Sequence, residues 1–114
     1  MKEVPIQAKI NDVERTIVID GDPSWGKLKT ILKSVVQADG KGGTKTDMDA
    51  FFDQILKLTI ISGFDEIKDP VKLLQIPGTE MTYILGEILN ILPLQTYFKN
   101  LRVLDNPLIN LMNQ

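Results

Sequence analysis

The sequence predicts an α+β fold that is mainly α, with an N-terminal β-hairpin followed by about four to five short helices. Three observations support this prediction. Apolar and polar residues alternate near the N-terminus, apolar residues recur at three- and four-residue spacing downstream, and glycine or proline ends each periodic segment. The chain has 114 residues, of which 43% are hydrophobic, and this is enough for one core. We therefore expect a single domain, 1–114.

The N-terminal hairpin is predicted from strict alternation. Residues that share one face of the first strand are all apolar: Val4, Ile6, Ala8 and Ile10. Asn11 and Asp12 can form a turn, and a β-branched run resumes from Thr16 to Ile19. The pattern predicts two strands that are joined near Asn11 and Asp12.

The segment after the hairpin predicts the first helix. Asp22 can cap its N-terminus, and Pro23 suits the first helical position. Apolar residues then recur at helical spacing: Trp25, Leu28, Leu32 and Val35. We expect Trp25 to fill the apolar face of the hairpin. Hairpin and first helix together occupy residues 1–38.

A glycine-rich stretch, DGKGGTKTDMDAFF, follows the first helix. A phosphate-binding loop needs a strand before its glycines and a lysine directly before Ser or Thr, whereas Gly40 follows a predicted helix. Asp47 and Asp49 resemble the start of a calcium loop, but Phe51 occupies the third ligand position. We therefore interpret residues 39–46 as a flexible joint.

Residues 47–104 are predicted as a helical half. Thr46 or Asp47 caps a second helix, whose apolar stripe continues until Gly63 ends it. Asp69 and Pro70 then begin a short helix, VKLLQI, which Pro77 and Gly78 close.

Thr79 begins the next helix, which carries the most regular apolar stripe of the chain. Pro93 is expected to break or kink this helix, and a last helix would carry Leu94, Tyr97, Phe98 and Leu101. Residues 105–114 follow an Asn-Pro pair and mix polar with apolar residues, so we expect a loosely held tail.

Composition removes several kinds of catalytic chemistry. The chain has no cysteine and no histidine, which excludes thiolate nucleophiles, imidazole bases and the usual zinc ligands. Asp65, Glu66 and Asp69 form an acidic cluster, but Lys68 and Lys72 lie among them and no reactive partner is suitably spaced. We expect a protein that is not an enzyme and has no cofactor, metal site or catalytic residue.

Charge and hydropathy suggest where the chain acts. The start, MKEVPIQAKI, lacks a signal-peptide pattern, and the apolar stretch around Glu87 is short for a bilayer span, so we expect a cytoplasmic protein.

The formal net charge is −2, which argues against nucleic acid as a partner. The alternative to a protein partner is a small regulatory or nucleic-acid-binding module that uses Lys27, Lys29, Lys33, Lys41 and Lys45.

Aliphatic residues near the C-terminus exceed what one helical face needs. They predict a surface that another chain covers, formed by Ile84, Leu85, Ile88, Leu89, Leu92, Leu94, Phe98 and Leu101. The alternative is that these helices simply bury one another.

Three stretches carry a resemblance to a known family: VPIQAKINDVERTIVI, DPSWGKLKTILKSV, and the segment from MDAFFDQILKLTIISGF to GEILNILPL. Together they resemble the small tail assembly chaperones of long-tailed bacterial and archaeal viruses, over roughly residues 4 to 101. The resemblance implies a homo-oligomer, in the host cytoplasm, that holds an aggregation-prone tape measure protein soluble and delivers tail tube protein around it. It also implies a longer, frameshifted product.

Overall fold

The computed structural model describes residues 1–38 and 40–94. In chain order, their elements are β1 (Glu3–Ile10), β2 (Val13–Asp20), α1 (Trp25–Val35), β3 (Val36–Ala38), β4 (Thr44–Thr46), α2 (Met48–Thr59), β5 (Ile60–Ser62), a 3₁₀ helix (Asp65–Lys68), α3 (Pro70–Leu74) and α4 (Gly78–Ile91). The fold is an α+β mixture in which the strands form two antiparallel sheets. The prediction of a mainly α fold with one hairpin is therefore wrong.

The larger sheet contains the predicted hairpin and one strand that the sequence analysis missed. Asn11 and Asp12 both have positive φ, 53° and 66°, as a two-residue turn between right-twisted strands requires. β5 then pairs antiparallel with β2 and gives the strand order β1-β2-β5. Because β5 directly follows α2 and has only three residues, its apolar residues look like a continuation of the helical stripe.

The smaller sheet is a second hairpin, β3–β4, around the glycine-rich stretch. Gly40 and Gly42 have φ values of 79° and 84°, a backbone conformation that glycine adopts without steric cost. The chain then returns to the end of α1, where the Asp47 N–H donates to the Val35 carbonyl at 2.7 Å. We predicted no strand here, so this hairpin is a further correction.

Two of the predicted helix starts are confirmed. The Asp47 carboxylate accepts from the Ala50 N–H at 3.0 Å, and the Asp69 carboxylate accepts from the N–H groups of Val71 and Lys72. Both bonds satisfy donors that have no partner inside the helix. α4 ends at Ile91, ahead of Pro93 as predicted.

The start of α1 differs from its prediction. The helix begins at Trp25, and the Ser24 hydroxyl accepts from the Lys27 N–H at 3.4 Å. The N-cap is therefore Ser24, not Asp22 as predicted. Trp25 is 60% exposed, and the prediction that it fills the apolar face of the hairpin is wrong. Ile31 and Val35, further along α1, are the residues that are buried.

One continuous core joins the sheet to the helices. Buried side chains of β1, β2, α1, α2 and α4 belong to one cluster. Its most deeply buried residues are Ile10, Ile17, Ile19, Ile31, Phe51, Ile55, Phe64, Ile84 and Ile88. These residues come from both sides of the glycine-rich stretch. Among the described residues, no helix has both the length and the apolar character needed to cross a bilayer.

α4 runs antiparallel to β1 and is held at both ends. At its start, the Glu80 carboxylate accepts from the turn N–H groups of Asn11 and Asp12 at 2.6 and 2.9 Å. At its end, Ile91 lies against Gly21, where the space for a Cβ is limited. The hairpin tip and the N-terminus of α4 therefore form one end of the molecule.

Candidate partner-binding surface

The predicted partner-binding residues on and after α4 lie mostly in the core. Those with buried side chains are Ile84, Ile88, Leu89, Leu92 and Leu94. Leu85 is half-buried and packs against the same core, while Phe98 and Leu101 lie outside the described residues, as do Tyr97 and the tail 105–114. In the folded chain, a partner could reach the buried five only if α4 left the sheet.

Other apolar side chains face solvent, and several lie at the hairpin-tip end. Val13 is 59% exposed, Val71 is 65% exposed, Leu74 is 85% exposed and Tyr83 is 52% exposed. We call these four residues the tip surface. Exposed apolar side chains mark a protein-binding surface where they form a contiguous patch, and four on neighbouring elements are candidates for one.

Hydrogen bonds and short chain connections bring the elements of the tip surface to this end. Glu80 binds the hairpin turn directly after which Val13 lies, and Tyr83 is on the next turn of the same helix. Ile76, which lies between α3 and α4 in the chain, is buried. Only three residues separate α3 from α4, and the last of them, Pro77, is the N-cap of α4, so α3 stays close to the N-terminus of α4.

A groove lies beside this surface, along β1. Its volume is about 310 Å³, and its walls are formed by Gln7, Ala8, Lys9, Glu14, Thr79, Glu80 and Tyr83. Three consecutive residues of β1 line it, although their side chains alternate between the faces of the sheet. The groove therefore runs along the backbone edge of the strand.

The acidic cluster has structural roles for two of its three carboxylates. Glu66 forms a bidentate ion pair with Arg15 of β2, in which Arg15 Nη1 donates to Glu66 Oε1 at 2.8 Å and Arg15 Nη2 donates to Glu66 Oε2. Asp69 caps α3, and Asp65 is exposed. In the described part of the chain, no group of three or more acidic side chains is placed to hold a metal ion.

The ion pair makes stability depend on pH. The Arg15 hydrogen bonds hold the pKa of Glu66 below its ordinary value. A carboxylate with a lowered pKa in the folded state stabilises the fold above its unfolded pKa, about 4.3, and this contribution is lost as the pH falls through the folded value. We expect Glu66→Gln to lower the free energy of unfolding by about 1 kcal/mol at pH 7, and by less as the pH approaches 3.

Urea unfolding of the wild type and Glu66→Gln at several pH values measures this difference. Asp53→Asn, on the exposed face of α2, is the control, and its difference from the wild type should stay near zero. A Glu66→Gln difference that is the same at pH 3 and pH 7 would contradict the expected role of the ion pair.

The lysines of the alternative hypothesis lie in one part of the fold. Those of α1 are exposed, as are Lys41 and Lys45 in the second hairpin, which begins directly where α1 ends. Trp25, Lys29 and Lys33 are four residues apart along α1, so they share one face of the helix. The two lysines would attract an anionic partner, and an aromatic side chain in line with them is suited to stacking on a nucleic-acid base.

Comparison of the chain with protein families, with curated proteins and with solved structures finds no match. The function must therefore be inferred from the residues and their geometry.

Sequence reasoning missed the tip surface, although one signal for part of it is present. The segment VKLL stands between an Asp-Pro start and a Pro-Gly stop. A helix that short cannot bury both of its sides, so one of its apolar pairs must face outward. Val71 and Leu74, three residues apart, are that pair.

Proposed function

We propose that this chain is a non-enzymatic tail assembly chaperone, which keeps a tape measure protein soluble by covering apolar faces of its helices. It acts in the host cytoplasm, self-associates, and hands tail tube protein to the assembling tail. The observation that supports this proposal is the tip surface, where Val71 and Leu74 stay exposed on a helix that is capped and anchored. The resemblance described above suggests the identity of the partner.

The tip surface has the chemistry for an amphipathic helix. Leu74 and Val71 offer an aliphatic pair and Tyr83 an aromatic ring, and full burial of a side chain of this size contributes about 1.5–3 kcal/mol. Charged residues of both signs, Glu80 and Lys72 among them, lie on the same short elements. This combination matches recognition of a helix through spaced apolar anchors with a polar rim.

Co-expression with the tape measure protein of the same virus tests the proposal. We expect the wild-type chain to keep that partner in the soluble fraction and to co-purify with it. Val71→Asp/Leu74→Asp should reduce co-purification at least tenfold, because every 1.4 kcal/mol of lost binding energy lowers affinity by that factor.

Trp25→Asp is the control, since it replaces another exposed apolar side chain at the start of α1, which follows the end of β2 that is farther from the hairpin turn. It should leave co-purification unchanged. A wild-type chain that neither solubilises nor retains the partner would refute the proposed function. Loss of binding in Trp25→Asp, with none in Val71→Asp/Leu74→Asp, would move the binding surface to α1.

The second candidate is a small regulatory or nucleic-acid-binding module. It is favoured by one observation, the exposed Trp25 in line with Lys29 and Lys33 on α1. Binding to duplex DNA that weakens steeply with salt, and is lost when the lysines of α1 and the second hairpin are replaced, would support it over the chaperone.

A further inference from the structure

The outer edge of β1 is a second surface, which borders the tip surface at Tyr83. In the strand order β1-β2-β5, β1 lies at the margin of the sheet, and over the described residues only β2 pairs with it. The strand is eight residues long, which is long for an uncovered edge. The groove leaves space beside Gln7 and Lys9, between the strand and the α4 residues Thr79, Glu80 and Tyr83.

The hairpin geometry determines which backbone groups this edge presents. In a hairpin with a two-residue turn, the flanking residues Ile10 and Val13 form a hydrogen-bonded pair. Because the pattern alternates, the even-numbered residues of β1 bond to β2, and the N–H and C=O groups of Glu3, Gln7 and Lys9 point outward. Pro5 also faces outward, where its missing N–H costs β1–β2 pairing nothing.

We propose that β1 pairs antiparallel with β1 of a second copy of this chain, with Glu3 of each copy opposite Lys9 of the other. A two-fold axis then passes beside Ile6, and one sheet continues across the dimer. Each pair of outward-facing residues exchanges two backbone hydrogen bonds between the copies. The two pairs that contain Pro5 exchange only one, because Pro5 has no N–H. The proposal does not depend on the proposed function.

Charge selects this register among those that the backbone allows. Outward-facing residues must lie opposite one another, so an odd-numbered residue always pairs with an odd-numbered residue. Shifted registers place Lys9 opposite Lys9, Glu3 opposite Glu3, or either one opposite an uncharged residue. Only the Glu3–Lys9 register joins opposite charges, and its overlap covers nearly the whole strand.

The charges within one chain support the same pairing. Glu3 lies opposite Asp20 in the hairpin, so its cross-strand neighbour has the same sign, and both Glu3 and Lys9 are exposed. The Lys9 side chain is 55% exposed and reaches Asp12 only at 4.0 Å. A second copy would supply Glu3 with a cation, and opposite charges on directly paired strands stabilise the pairing.

Charge reversal tests this interface. The wild type should sediment as a dimer at micromolar concentrations, whereas Glu3→Lys and Lys9→Glu should each be monomeric, because each places like charges at both ends of the pairing. Glu3→Lys/Lys9→Glu should dimerise again, and so should an equimolar mixture of the two single variants. Lys27→Glu, on α1, is a control that should remain dimeric.

These variants separate the interface from effects on the monomer. Lys9→Glu faces Glu14 within the hairpin, but the double variant retains that unfavourable pair, so its recovery must arise between chains. Glu3→Lys faces Asp20 within the hairpin, which favours the monomer fold, so loss of the dimer cannot be attributed to unfolding. Circular dichroism verifies that each variant is folded.

A backbone test complements the charge test. Gln7→Pro removes an outward N–H and should abolish the dimer, whereas Gln7→Val removes the same side chain, keeps the N–H and should remain dimeric. In the wild type, the amide protons of Gln7 and Lys9 should exchange at least tenfold more slowly than in Glu3→Lys. A monomeric wild type, a dimer that survives Gln7→Pro and both single reversals, or a double reversal that stays monomeric would overturn the proposal.

Discussion

Gly63→Ala should lower the free energy of unfolding by roughly 3 kcal/mol. Gly63 has φ of +87°, in the left-handed region, and a Cβ at this position would lie 2.2 Å from the Thr16 carbonyl oxygen and 3.1 Å from the Ile17 Cα. Both atoms belong to the backbone of β2, which is paired on each side with β1 and β5. The clash cannot be relieved by rotation of a side chain, so we expect the contact between β5 and β2 to open.

Gly42→Ala is the matched control for this substitution. Gly42 has φ of +84°, close to that of Gly63, but among the described residues no atom beyond its chain neighbours lies within 4 Å of the Cβ position. It should therefore cost only the conformational part, about 1–2 kcal/mol. Urea unfolding followed by circular dichroism measures both variants at one protein concentration. Equal losses at the two glycines would contradict a close approach of Gly63 to β2.

Ile88→Ala should lower the free energy of unfolding by about 2–5 kcal/mol, the usual range for removal of a buried aliphatic side chain. Ile88 has no exposed surface and belongs to the core that joins α4 to the sheet. The substitution removes apolar surface from the core and leaves a cavity that the packed neighbours can fill only in part.

Leu74→Ala is the control for Ile88→Ala, because it shortens an aliphatic side chain that is 85% exposed. Its free energy of unfolding should stay within about 0.5 kcal/mol of the wild type, while its binding to the partner should become weaker. If Ile88→Ala instead kept its stability but no longer bound the partner, the partner would bind at the apolar stripe of α4, as predicted from the sequence.

The two predictions concern the features that organise the candidate surfaces. Because Gly63 has no side chain, the backbone just after β5 can pass close to the backbone of β2. The segment that follows places Glu66 beside Arg15 and leads to α3 at the hairpin-tip end. Ile88 holds α4 on the sheet, which keeps Glu80 at the turn and Tyr83 beside the groove. Loss of either anchor should disturb the tip surface as well as stability.

Sequence reasoning succeeded where the signal is local. The turn at Asn11 and Asp12, the caps at Asp47 and Asp69, and the end of α4 before Pro93 each depend on a few adjacent residues. Capping geometry and turn conformation follow from the chemistry of those side chains and backbone groups alone.

Sequence reasoning failed where an element depends on a distant partner. β5 has only three residues, and pairing with Val18 and Ile19 of β2 determines that it is a strand. The second hairpin likewise forms because its two short strands meet across the glycines. Short apolar segments fit helix and strand patterns equally well, so the fold class was predicted with too few strands.

The amino-acid sequence alone was enough to predict the alternating hairpin, the helix starts at Asp47 and Asp69, the end of α4 before Pro93, and the apolar stripe of α4. How the elements pack decides that this stripe lies in the core, that Trp25 and Leu74 face solvent, and that only β2 pairs with β1 among the described residues. The physical reason is that local signals act through neighbouring backbone groups, whereas burial depends on which elements pack together. The surfaces that remain exposed after packing are the ones available to a partner.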